Sequence, residues 1–144
     1  MTAPSLGNRE AVSRAEFFLK LARACPVEER AEHEAFLEAS IIFARAELHR
    51  MRTRFAKAPG WRLWWSSIET DSAVRFFTQH RNFILKEGSA QVHQIINFNP
   101  VVLAEVLYYF ETPDIPAAAT VERHLTRFSE LYADAQLKFG MSGR

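Results

Sequence analysis

Leu37, Ile41, Ala44, Leu48, Met51 and Phe55 step along the chain at intervals of 4-3-4-3-4, and Val121, Leu125, Phe128, Tyr132, Ala135 and Phe139 repeat those steps near the other end. A stripe with this spacing lies on one face of an α-helix, because 3.6 residues complete a turn. Each seam must be covered, and the simplest cover is another helix laid alongside. The spacing predicts long helices from about Val27 to Lys57 and from about Pro116 to Phe139. A weaker pattern of Val12, Ala15, Phe18, Leu19, Ala22 and Cys25 predicts another from Arg9 to about Ala24, stopped by Pro26. The expected architecture is mostly α, an up-and-down bundle of four to five helices forming one domain over residues 9–140. The first eight residues are expected to be disordered and the last few to fray.

Between the seams the reading changes. "Pro59-Gly60" breaks the long helix. Trp61, Trp64, Trp65 and Ile68 then fall at i, i+3, i+4 and i+7, an almost wholly aromatic face suited to plugging the core or meeting a second subunit. Asp71 is placed to cap a helix from Ser72 to about Glu87, and Gly88 to end it. From Ser89 to Glu111, "QVHQIINF" and "VVLAEVLYYF" flank Asn99-Pro100. Their β-branched and aromatic residues favour a short hairpin or irregular arm near 90–110, although the second run also suits a helix. "Thr112-Pro113-Asp114-Ile115-Pro116" reads as a loop with Asp114 capping the last helix.

Composition narrows the class. No run approaches the roughly 20 apolar residues that cross a bilayer, and the opening "MTAPSLGN" lacks the pattern of a secretory signal. The single cysteine, Cys25, offers neither an internal disulfide nor a cysteine metal site. A cytoplasmic protein with no membrane association is expected. Net charge is +1, but Arg45, Arg50, Arg52, Arg54, Lys57 and Arg62 stand against Glu47 alone, a local charge of +5. Such a run is either a solvated helix end, favourable to the helix dipole, or a phosphate-binding patch. Arg50 and Arg54 are its candidate binding residues.

The helix after Asp71 raises a sharper question. At about 100° per residue, Phe83, Phe76, His80, Ala73, Ile84, Phe77, Arg81, Val74 and Leu85 share one broad arc, opposite Arg75, Gln79, Asn82 and Lys86. His80 and Arg81 therefore lie within the apolar half. An unpaired buried guanidinium is costly, so Arg81 needs water or a partner. Glu34 and Glu38, one turn apart on the preceding long helix, are the candidate partners for a structural ion pair.

"RFFTQHRNFILKEG", preceded by "GWRLWW" and by a long helix containing "EAFLEASIIFARAELH", resembles the HEPN superfamily over roughly Glu28 to Gly88. The resemblance implies a small helical bundle that dimerises. It also implies RNA as ligand, and in active members metal-independent endoribonuclease activity of a toxin or defence type. That activity uses an Arg-polar pair followed by a His on one helix. Arg81 and Asn82 match the pair, and Lys86 stands where the His is expected. A Lys neutralises phosphate but shuttles protons poorly unless burial lowers its pKa. His80 is the nearest imidazole. Arg75 and His80 have the Arg-x4-His spacing, with Phe76 in place of the polar residue. The candidate catalytic set is thus Arg81, Asn82, His80 and Lys86, with Arg75, Arg50 and Arg54 for binding.

A second class of function is a non-catalytic helical module that pairs with another protein. No cofactor is expected, since there is no glycine-rich phosphate loop, no Gly-x-Ser-x-Gly and no His-Glu-x-x-His. No metal is expected either. His33, His49, His80, His93 and His124 are scattered in sequence. Bundle metals use Glu-x-x-His, and Arg30 stands where His33 would need its glutamate.

Overall fold

The computed structural model describes residues 6–26, 29–89, 92–97 and 105–140, with backbone alone at 6–11, 95–97 and 105–107. The expectations for residues 1–5, for Val27 and Glu28, for Asn99-Pro100 and for the tail from 141 lie outside the described residues. Among the described residues, five helices and two strands run in the order α1 (Leu6–Ala24), α2 (Arg30–Phe55), α3 (Trp61–Ile68), α4 (Ser72–Glu87), β1 (His93–Asn97), β2 (Glu105–Tyr109) and α5 (Ala117–Phe139). The chain is mostly α with a short hairpin, as the patterning predicts. Among the described residues no helix is long and apolar enough to cross a membrane.

Both seams are buried along their whole length, every member of the α2 stripe being at most 2% exposed. α1 packs antiparallel to α2. Ser40 Oγ donates to the Ala15 carbonyl at 2.8 Å, and His33 Nδ1 bonds the Ala22 carbonyl at 2.9 Å, so the two chains run past one another in opposite directions. α5 crosses α1, α2 and α4, and Phe128, at 0% exposure, sits at its centre. α3 closes one end of the bundle. Trp61 and Trp64 are buried against Phe139 at ring separations of 5.4 and 5.7 Å, and Trp64 Nε1 donates to Asp134 Oδ2 at 2.7 Å. The aromatic face is therefore a core plug, from which the half-buried Trp65 protrudes.

The ends of α4 follow local chemistry. Asp71 accepts from the Ala73 amide at 2.9 Å, and Gly88 adopts φ of 83°, the left-handed conformation that ends a helix without a Cβ clash. The two strands pair antiparallel with His93 opposite Tyr109 and Asn97 opposite Glu105, so "EVLYY" is strand rather than helix.

Four expectations are corrected. α1 begins at Leu6, inside the segment expected to be disordered, because no proline interrupts it there and Gly7 costs a helix only about 1 kcal/mol. α2 begins at Arg30, three residues after the predicted start. α5 is entered through Pro116, with no side-chain cap, so Asp114 does not cap it. Leu85 is 63% exposed although Ile84 beside it is buried, because Leu85 stands at the edge of the apolar arc and Ile84 within it.

Phe128→Ala should lower the unfolding free energy by about 3–5 kcal/mol in urea titration. Leu63→Ala, at a side chain 81% exposed, should change it by less than about 0.5 kcal/mol.

Candidate functional site

α4 and α5 run antiparallel and are joined at three levels. Arg127 Nε donates to Asp71 Oδ2 at 3.0 Å, Phe77 meets Phe128 edge to face at 5.7 Å, and Phe76 stacks on the His124 ring at 4.3 Å with planes 21° apart. Phe76 also holds His80, whose ring lies 4.4 Å away. One buried phenyl ring thus positions an imidazole from each helix. Phe110, just after β2, packs edge-on against both Phe76 and His80, at 5.3 and 4.9 Å.

The next residue, Glu111, completes the arrangement. Its Oε1 accepts from His124 Nε2 at 2.8 Å and its Oε2 from Arg123 Nη2 at 2.5 Å. Arg123 Nη2 also lies 3.3 Å from His124 Nε2. Two donors do not bond each other, so the Nε2 proton belongs to Glu111. The bond from His124 is the main reason the Glu111 carboxyl is held below its usual range, with Arg123 adding to it against a desolvation penalty. These groups open onto a cavity of about 480 Å³ whose walls include Arg75, His80, His93, Glu111 and His124.

His80 is only partly buried, yet its Nδ1 is buried without a hydrogen-bond partner. Desolvation pushes its pKa below the ordinary 6.5. The neighbouring His124 and His93 push the same way, and Glu111 opposes them. The ring is therefore a neutral imidazole at pH 7, able to accept a proton. Among the described residues, no three histidine, cysteine or acidic side chains are grouped as metal ligands. The chemistry available from these side chains is proton transfer and anion binding.

The predicted residues divide between places. His80 and Arg75 line this cavity. Arg81 is partly buried on the neighbouring side of α4, where its Nη1 donates to Asn82 Oδ1 at 2.9 Å. The Arg-polar pair thus exists as a bonded pair, set apart from the imidazoles. Lys86 is exposed in the last turn of α4 and does not line the cavity. Arg50 and Arg54 line a different cavity, of about 340 Å³, near the end of α2.

The expected ion pair from Arg81 to Glu34 or Glu38 does not form among the described contacts. Glu34 instead accepts from Arg30 at 2.9 Å. α4 meets α2 near Arg45, whose guanidinium feels the charge of Arg81. That point is roughly 10 Å further along the helix than Glu38.

His93, His124, Glu111 and Arg123 were not candidates on sequence grounds, and the five histidines read there as scattered. Three of them line one cavity. A partial signal exists for His124, since Val121, His124, Leu125 and Phe128 share one helical face, so this histidine interrupts a seam. Glu111 and His93 carry no such signal, because the hairpin that delivers them is a tertiary arrangement.

No family model, curated protein or solved structure matches this chain.

Because neutral His80 disfavours protonation in the folded state, the unfolded chain binds protons more readily below pH 6.5. Stability contributed by this group is complete above that pH and declines as pH falls through it. Between pH 7 and 5.5 the urea midpoint of the wild type should fall more than that of His80→Gln. Equal declines would mean that His80 is not desolvated in the folded protein.

Proposed function

We propose that the protein binds RNA and cleaves it without a metal, at the cavity between α4, α5 and the hairpin. The observation that carries this reading is the convergence on Phe76 of two imidazoles, one neutral and one gripped by a carboxylate, beside Arg75. The resemblance of the α4 segment to the HEPN superfamily supports the same reaction class and adds a homodimer to the expectation. The reactive centre is set at His80 and His124, and Arg81 and Asn82 are left to bind.

The reaction needs a base, an acid and a group that stabilises negative charge. His80 takes the proton from a ribose 2′-hydroxyl. The 2′-oxygen attacks the adjacent phosphorus, and the bond from phosphorus to the 5′-oxygen breaks. His124 enters the reaction as the imidazolium; its Nε2–H stays on Glu111, and its Nδ1–H passes to the departing 5′-oxygen. Arg75 faces the charge that builds on the non-bridging oxygens. The products are a 2′,3′-cyclic phosphate and a 5′-hydroxyl, with protons and electrons balanced and no external reductant or metal required.

Glu111 acts through His124 as a positioning residue. Its substitution by Gln keeps a bond acceptor but removes the charge.

Purified protein incubated with single-stranded RNA in EDTA should yield fragments ending in cyclic phosphate, resolved by mass spectrometry. His80→Gln should slow this by about 10²–10⁴-fold, the range for loss of one general acid or base. Glu111→Gln should lower kcat and move its pH profile while leaving KM near the wild-type value. Intact RNA at enzyme excess, with the protein folded by circular dichroism, would refute the reading.

A further inference from the structure

On the other side of α4 lies a second groove, about 320 Å³, between α2, α3 and α4. Arg45, Trp65, Thr78, Arg75 and Gln79 line it. Arg75 and Gln79 also line the histidine cavity, so these two side chains, one turn apart, form a ridge with a cavity on each side. Arg45 is partly buried, and its Nε is buried without a hydrogen-bond partner. Burial, and after it the charges of the neighbouring cations Arg81 and Arg52, push the guanidinium below its ordinary range. Arg52 lies over the ring of Trp65, itself a wall of the groove, at 5.5 Å.

Among the described residues none of Arg45, Arg52, Arg75 and Arg81 is ion-paired with a carboxylate. Glu69 lines the groove but bonds none of them. Elsewhere in the bundle Arg23, Arg30, Arg123 and Arg127 each meet an acid. Gathering like charges around a desolvated guanidinium costs free energy. An incoming anion would repay that cost by supplying the missing acceptor.

We infer that this groove is a phosphate track for single-stranded RNA, holding backbone phosphates at Arg45 and Arg81 while the same strand crosses Arg75 and Gln79 into the histidine cavity. The inference rests on the RNA reading above and extends it to the binding of the flanking nucleotides. A continuous polyanion is favoured over free phosphate because Arg75 is shared by both cavities, so a ligand that spans them gains contacts in each. A single strand is favoured over a duplex because the ridge is one helix wide, roughly 10 Å, and a flexible chain follows it.

The test uses a fluorescein-labelled 2′-O-methyl RNA oligonucleotide, which lacks the attacking hydroxyl and separates binding from cleavage. Anisotropy with the full chain should give at least tenfold weaker binding for the double variant Arg45→Gln, Arg81→Gln. Its log-log salt dependence should be shallower by about 1.4, the loss of two phosphate contacts on a single strand. Arg62→Gln, outside the groove, should bind like the wild type, and Arg45→Lys should keep most of the affinity if charge is what matters. Wild-type affinity and salt dependence in the double variant would overturn the track. So would tighter binding of a matched duplex, or complete displacement by millimolar inorganic phosphate.

Binding of the uncleavable strand that is lost in the double variant, with no cleavage of ordinary RNA, would sustain the track and sink the reaction. Cleavage with unaltered binding in the double variant would do the reverse. A thermal melt of each variant shows whether it is folded.

Discussion

The contact between α4 and α5 is the constraint on which the site depends. Phe77 and Phe128 are both completely buried and meet edge to face. With those rings fixed, Phe76 has one placement, against His124, and His80 follows one turn later on the same face of α4. Arg127 and Asp71 pin the N-terminal end of α4, where Asp71 is also the helix cap. A single carboxylate therefore satisfies a backbone amide in the first turn of one helix and ties that helix to another. The imidazoles are positioned by core packing rather than by a loop, which limits their motion to that of the bundle.

The hairpin contributes what the helices alone lack. β2 leads through Tyr108 and Phe110, both buried, to Glu111. Burial of Phe110 against Phe76 fixes the chain just before the carboxylate, so Glu111 reaches His124 and Arg123 together. On the opposite side of α4, the basic stretch of α2 does not spread evenly into solvent. Arg45 is turned toward α4, while Arg50 and Arg54 face a separate cavity. One helix thus divides a histidine-lined cavity from an arginine-lined groove, and Arg75 belongs to both.

Much of the scaffold was legible in the residues themselves. The two 4-3-4-3-4 seams located α2 and α5 because such spacing has only one helical explanation, and every seam residue is buried. Asp71 and Gly88 marked the ends of α4 through local capping chemistry that acts over a few residues. Wheel geometry placed His80 and Arg81 on the packed side of α4, and both are partly buried there. Where the reading missed, the deciding contact was distant in sequence. Glu34 had Arg30 available one turn away, a nearer partner than Arg81. Glu111 and His124 are brought together only because β2 ends against the first turns of α5.

The sequence by itself determined which segments are helical, which faces are apolar and where the helices stop. Those properties arise from periodicity and from bonds within one turn. Only the tertiary structure decided that His80 shares a cavity with His93 and His124, and that Arg45 stands near Arg81 without an acid. Such meetings depend on the levels at which separate helices cross. Those levels are set by the summed packing of rings such as Phe76, Phe77 and Phe128, which no local pattern encodes.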